Sequence, residues 1–164
     1  MMNKIMIIGN CGAGKSTLAK QLAYRTGLPL IHLDREYYEA DWKCPEKEKW
    51  NDKVLSLISK PRWILDGNYI SSMEIRLKEA DLIVFLDIDK WTCLFSVLKR
   101  IIQSSGTRDD MTIGCKERLD TEFLRYVWNY NRKIRPRVYD LLDINKEAKL
   151  VILKSRKEIR RFIA

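Results

Sequence analysis

An α/β fold built on a parallel sheet is what this 164-residue sequence predicts, and three observations carry the prediction. Five short apolar runs recur along the chain, at 5–8, 30–33, 63–65, 82–86 and 150–153. Segments of helical periodicity separate them, and such alternation implies βαβ units. The runs are almost continuously apolar, as strands buried on both faces of a sheet require.

Ile5-Met6-Ile7-Ile8 reads as the first strand. Directly after it, Gly9-Asn10-Cys11-Gly12-Ala13-Gly14-Lys15-Ser16 fits the spacing G-x-x-x-x-G-K-S/T. Leu18, Ala19, Leu22 and Ala23 then recur at helical spacing up to Thr26, where Gly27 supplies a stop and Pro29 follows. Strand, glycine loop and helix N-terminus in that order form a phosphate cradle. Backbone N–H groups surround phosphate oxygens, Lys15 reaches the outer phosphates, and the Ser16 hydroxyl ligates magnesium while the helix terminus adds positive charge. The residues expected to bind ATP are therefore Gly9, Asn10, Cys11, Gly12, Ala13, Gly14, Lys15, Ser16 and Thr17, with Mg2+ on Ser16. Cys11 reads as a small spacer, though its oxidation would block the loop.

Leu30 to Leu33 reads as the second strand, stopping at Asp34. A polar, aromatic stretch runs through Trp42 and Pro45. Glu46 to Ser59 then reads as a helix with Trp50, Val54, Leu57 and Ile58 on one face. Trp63-Ile64-Leu65 is the third strand and ends at Asp66-Gly67. A short helix near Ser72 to Glu79 precedes the fourth strand, Leu82 to Leu86, which ends at Asp87. Lys90 to Ile102 is helical, and residues 103–116, with two glycines and no periodicity, read as a loop. Glu117 to about Lys133 reads as a long helix that ends or kinks before Pro136. A turn or two of helix follows at Arg137 to Leu142, then the fifth strand, Leu150 to Leu153, and a closing helix from Lys157 to Ile163.

Composition narrows the class. Hydrophobic residues make up 46% and charged residues 32%. No apolar run approaches the roughly 20 residues of a membrane helix, and Met1-Met2-Asn3-Lys4 leads straight into a strand. Cys11, Cys44, Cys93 and Cys115 have no paired spacing, so neither a disulfide framework nor a zinc site is expected, and a cytoplasmic location is. The net charge is +9. Between Lys99 and Arg137 ten basic residues stand against five acidic ones. Such a surplus suits a nucleic-acid partner or an enzyme that clamps polyphosphates.

Ligands of a parallel sheet bind beyond the carboxyl ends of its strands. Asp34, Asp66 and Asp87 all fall there with the glycine loop. Asp66 is the first choice for holding the magnesium ion and Asp87 the second; the plainer reading of Asp66 is a turn aspartate before Gly67. Asp34 is placed to orient or deprotonate a substrate hydroxyl, with Arg35 binding an anionic group; a helix cap beside a solvated arginine is the alternative. His32, the only histidine, reads as a core or rim residue.

Phosphoryl transfer also needs cations around the transferring group. Arg108 lies in the glycine-bearing loop. Arg118, Glu122, Arg125, Asn129 and Arg132 share one helical face, opposite Leu119, Phe123, Val127 and Tyr130. That face is either solvated or a phosphate clamp, and arginine suits bidentate phosphate contact. Arg100 is a further candidate. The catalytic set expected is Lys15, Asp34, Arg108, Arg118 and Arg125. The five tryptophans read as core, although Trp42 with Tyr37 and Tyr38 could line an acceptor pocket.

With these residues placed, the chain resembles the adenylate-kinase-like and shikimate-kinase-like branch of the P-loop kinases. Within that branch it resembles the proteins called DNA topology modulation proteins. The resemblance is carried by Ile8 to Thr17, His32-Leu33-Asp34, Trp63 to Tyr69, Thr107 to Met111 and Glu122 to Tyr130. Adenylate kinases have an aspartate-glycine pair after the third strand, matched by Asp66-Gly67, and lid arginines matched by Arg108 and Arg118. The resemblance implies a three-layer P-loop fold with a five-stranded parallel sheet of order 2-3-1-4-5 and helices on both faces. It implies one domain over 1–164, a closing lid at about 103–118, and an acceptor-side insertion at about 34–60. It also puts the adenine base near Arg108 and Lys154-Ser155-Arg156. Where nucleoside monophosphate kinases carry phenylalanine-proline-arginine after the aspartate-glycine pair, this chain has Asn68-Tyr69-Ile70.

The function expected is a Mg2+-dependent phosphotransferase that moves the ATP γ-phosphate to a small-molecule acceptor, a nucleotide or a hydroxylated metabolite. The alternatives are an ATP-binding regulatory protein that binds nucleic acid through its basic surface, and an ATPase without an acceptor.

Overall fold

The computed structural model describes residues 2–39, 42–103 and 120–164. Its strands are β1 (Lys4–Gly9), β2 (Leu30–His32), β3 (Trp63–Asp66), β4 (Leu82–Leu86) and β5 (Lys149–Leu153). They form one sheet of order β2-β3-β1-β4-β5, every pair parallel. This is the expected order. β3 and β4 are buried throughout and β1 nearly so, which is why their sequences are continuously apolar. β2 and β5 are the edges and are only partly buried.

Alternation along the strands divides the core into two layers. Ile5, Ile7, Ile64, Leu82, Val84 and Leu86 pack on one face with Leu18 and Leu22 of α1 (Lys15–Thr26), Cys93 and Val97 of α5 (Lys90–Gln103), Val127 of α6 (Thr121–Lys133) and Ile159 of α8 (Arg156–Ile163). Met6, Ile8, Trp63, Leu65, Ile83 and Phe85 pack on the other. There they meet α3 (Lys47–Ile58), α4 (Met73–Glu79) and α7 (Arg135–Leu142). The same period of two puts Asp66, two residues after Ile64, on the face that carries α1.

The helix ends follow the sequence signals. Gly27, in the left-handed region at φ 64°, ends α1 by donating its N–H to the Ala23 carbonyl at 2.9 Å. Pro136 begins α7 where the kink was expected. Asp120 caps α6 by accepting from Glu122 N at 2.8 Å and Phe123 N at 3.4 Å, so this helix starts at Thr121, and the expected start at Glu117 lies outside the described residues.

Two expectations are corrected. The second strand ends at His32, and Leu33–Tyr37 forms a short helix, α2. Leu33 is wholly buried in the core beneath the second face, and turning the chain there seats it while lifting Asp34 into the first turn of α2. The tryptophans are not all core. Trp50 and Trp63 are buried, but Trp91 is 63% exposed and Trp128 37% exposed. Cys93 and Val97 take the inward face of α5, leaving Trp91 on its outer stripe, edge-to-face with Trp128 at 4.7 Å. The Lys90 ammonium sits 3.9 Å from the Trp128 ring centroid.

Cys11, Cys44 and Cys93 are in no disulfide, and Cys115 lies outside the described residues. Among the described residues no helix is long and apolar enough to cross a membrane.

Candidate functional site

The glycine loop joins the C-terminal end of the central strand to α1, which no side chain caps and whose first turn holds no acidic residue. Gly12 adopts φ 79°, and a Cβ there would overlap the carbonyl oxygen of Cys93. Arg156, the first residue of α8, braces the loop from behind. Its guanidinium donates to the carbonyls of Ala13 and Gly12, each at 2.6 Å, and to Ser96 Oγ at 3.1 Å. Within the loop Ala13 N also donates to the Asn10 carbonyl, at 3.1 Å. Asn10, 1% exposed, ties the loop to α6 by donating to the Val127 carbonyl at 2.9 Å. Lys15 Nζ donates to the Asn10 carbonyl at 3.1 Å, and Lys15 and Ser16 are half-buried.

Steric crowding behind the loop yields a first prediction. Gly12→Ala is expected to cost about 2 kcal/mol or more, from left-handed strain plus the clash with Cys93. Gly27→Ala, where a Cβ meets nothing within 4 Å, is expected to cost only the left-handed term, roughly 1 kcal/mol. Thermal melts of the two variants check this, since equal losses would mean the contact with Cys93 does not matter.

Beside the loop, on the adjacent strand, stands Asp66, 5% exposed. Its Oδ2 pairs with His32 Nδ1 at 2.9 Å, and its Oδ1 is buried with no hydrogen-bond partner among the described residues. A carboxylate oxygen so placed fits a magnesium site shared with Ser16. Among the described residues no group of three or more His, Cys, Asp or Glu side chains could hold a metal.

The turn after β3 links the loop to the acceptor side. Asn68 Oδ1 accepts from Gly9 N at 3.0 Å. Tyr69, at φ 37°, donates its hydroxyl to Asp34 Oδ1 at 2.8 Å. Burial, and then the neighbouring Asp34 carboxylate, push the Tyr69 phenol far up, so it remains a donor. Tyr38 is pushed up to about 12 by the same two causes. Tyr126 is raised chiefly by burial, with Cys11 and Asp34 among its neighbours. Tyr69 thus bonds Asp34 directly, and Tyr38 and Tyr126 feel its charge. Tyr37, Trp50 and Tyr69 pack as an aromatic cluster beneath them, with centroids 4.6–5.0 Å apart. Tyr38 meets Trp42 at 5.1 Å, so the aromatic stretch does flank Asp34. Arg35 is exposed on α2.

Arg76 holds this turn. Its side chain is wholly buried and donates to four carbonyls, those of Ser72, Gly67, Asn68 and Tyr69. Burial lowers its pKa to about 9, so it stays charged at neutral pH.

The remaining candidates are distributed as follows. Arg125 is exposed and lines a cavity of about 280 Å³ with Glu122, Tyr126, Asn129, Lys133 and Ile134, so the shared helical face expected of Glu122, Arg125 and Asn129 exists. Arg132 is exposed, and Arg100 lines a shallow cavity of about 380 Å³ with Ser96, Lys99 and Gln103. Asp87, the second choice for magnesium, is instead committed to α7, accepting from Arg135 at 2.6 Å and from the Tyr139 hydroxyl at 2.8 Å. Arg108, Arg118 and all but the first residue of the expected lid at 103–118 lie outside the described residues.

No family model matches the chain. One curated relative, the cytoplasmic dynein heavy chain of Drosophila melanogaster, is 24% identical over 109 residues, and the match spans 62% of this chain but 2% of that protein. Several solved structures match nearly end to end. Shikimate kinase from Acinetobacter baumannii, in complex with shikimate, has a TM-score of 0.61 at 17% identity, covering 99% of this chain and 89% of that one. Shikimate kinase from Bacteroides thetaiotaomicron has a TM-score of 0.54 at 18% identity, with 99% and 95% covered. Deoxyadenosine kinase from M. mycoides, with products bound, has a TM-score of 0.54 at 16% identity, with 98% and 96% covered. At such identities the likeness concerns architecture, and the chain has the P-loop kinase fold that shikimate kinase and deoxyadenosine kinase share.

Proposed function

We propose that this protein is an ATP- and Mg2+-dependent phosphotransferase acting on a hydroxyl of a small molecule, a nucleotide or a hydroxylated metabolite. The observation that carries the reading is the start of α1, where no side chain caps the helix and the first turn holds no acidic residue. Its amides and the Lys15 ammonium are offered to an anion. In this reading Lys15 leaves the Asn10 carbonyl for the β- and γ-phosphates. Ser16 and the unpartnered oxygen of Asp66 hold magnesium, which supplies charge neutralisation across the phosphates when bound. Asp34, oriented by Tyr69, takes the proton of the acceptor hydroxyl as its oxygen bonds to the γ-phosphorus and the bond to the ADP oxygen breaks. Arg125, in its cavity, faces the anionic part of the acceptor or the transferring group.

The whole chain is read as one domain, with 34–60 as its acceptor side. The fold neighbours are named for shikimate and deoxyadenosine, two hydroxyl-bearing small molecules, which supports a hydroxyl as the accepting group.

Measuring ADP release from ATP and Mg2+ across a panel of nucleosides, nucleotides and hydroxylated metabolites tests this. The expected result is release that depends on one acceptor class and falls about 10²- to 10⁴-fold in Asp34→Asn. Release that is the same with every acceptor and with none would mean hydrolysis, and would overturn the transfer reading.

A further inference from the structure

We propose that His32 is a positioning residue for the metal-binding carboxylate, fixing Asp66 so that its second oxygen is presented to the cation of Mg2+–ATP. The inference rests on the reading of Asp66 given above. Strand pairing sets the two residues opposite each other on β2 and β3, hence on the same face of the sheet. Nδ1 of His32 lies 2.9 Å from Asp66 Oδ2, and the two side chains are only 10% and 5% exposed. An ionised carboxylate accepts, so Nδ1 carries the hydrogen. The other oxygen, Oδ1, is buried and has no partner among the described residues.

This asymmetry separates the proposal from a plain structural pair. A buried carboxylate oxygen without a donor costs free energy, and structural carboxylates are normally satisfied on both oxygens. Here one oxygen is satisfied and the other, at the carboxyl end of the strand next to β1, has no partner among the described residues. The identity of the donor matters too. A lysine or arginine at position 32 would set a permanent positive charge against the carboxylate, whereas an imidazole orients it through a single ring N–H, as the partners of metal-binding groups commonly do. The turn at Leu33 holds the arrangement. Leu33 is locked in the core immediately after His32, so the imidazole is anchored at the last residue of the strand.

Calorimetry of ATP binding to the intact protein, with and without Mg2+, tests this, supported by electron paramagnetic resonance of bound Mn2+. His32→Leu removes the donor, while His32→Asn keeps an N–H at the Nδ1 position. His32→Gln moves the N–H to the Nε2 position. The expected result is an unchanged metal-free ATP affinity, with the gain on adding Mg2+ reduced about tenfold or more in His32→Leu and His32→Gln. His32→Asn is expected to restore most of that gain, and the Mn2+ signal of bound metal should follow the same order. If His32→Leu does not fold, the contrast between the Asn and Gln variants carries the test. A full Mg2+ gain in His32→Leu or His32→Gln would overturn the proposal, as would an equal loss of metal-free affinity. A wild-type protein whose ATP affinity does not depend on Mg2+ would instead remove the reading of Asp66, and the role of His32 with it.

Discussion

Lys15→Ala is expected to lower phosphotransfer by about 10³-fold or more while leaving the folded protein intact. In the structure its ammonium makes one hydrogen bond, to the Asn10 carbonyl, and sits half-buried at the start of α1. That bond contributes on the order of 1 kcal/mol to stability, and alanine is a good helix former. The melting temperature should therefore move by only a few degrees, at roughly 2–4 °C per kcal/mol for a chain of this size. The catalytic cost is larger because the ammonium would oppose negative charge that develops on the transferring group in the transition state. Lys15→Arg is not expected to restore turnover, since its planar fork cannot replace a compact point charge in a loop already braced by Arg156. ADP release with a confirmed acceptor, set beside thermal melts, checks both halves. Equal turnover by wild type and variant would sink the role of Lys15. A collapse of the melt would mean that the lysine is structural.

The donor side was legible in the sequence because it is local. Glycine spacing, a preceding strand and a following helix all lie within residues 5–26, and each constrains the others. Asp66 was legible for a related reason, since the end of an apolar run marks the end of a strand. What escaped was set by long-range packing. Arg156 meets the loop across 144 residues of sequence; the resemblance named it only as a neighbour of the adenine base, and no local pattern reveals its bonds to the loop carbonyls. The pairing of His32 with Asp66 depends on the register of β2 against β3, which no local pattern encodes. The second strand was read one residue too long because Leu33 continues its apolar run, while burial of that side chain is what turns the backbone into α2. Asn68 and Tyr69 were visible only as part of a resemblance, without the contacts to Gly9 and Asp34 that explain them. Arg76 gave no sign at all, since an arginine in a charged helix reads as solvated.

Arg76→Met is expected to have the largest effect on stability, about 3–5 kcal/mol, although Arg76 touches neither the glycine loop nor Asp34 through any of its hydrogen bonds. A buried arginine normally meets a carboxylate, but here the charge is spread over four carbonyl dipoles. Methionine fills much of the same volume and donates nothing, leaving the Gly67, Asn68 and Tyr69 carbonyls without their donor. Tyr69 is held at φ 37°, a conformation that persists only where surrounding contacts over-determine it. Releasing the turn should therefore disturb two contacts at once, Asn68 with Gly9 and Tyr69 with Asp34, which carry the acceptor side and the loop. The melting temperature should drop by roughly 6–20 °C. The acceptor KM should rise in whatever fraction remains folded at low temperature. Arg76→Lys keeps the charge but cannot reach four carbonyls, so its loss should be intermediate. Arg62→Met, at an exposed position, should stay within about 0.5 kcal/mol of wild type. Denaturant unfolding of the three variants gives the ranking. If Arg76→Met proved as stable as Arg62→Met, the turn would be holding itself, and the organising role assigned to Arg76 would have to pass to the backbone of residues 67–69.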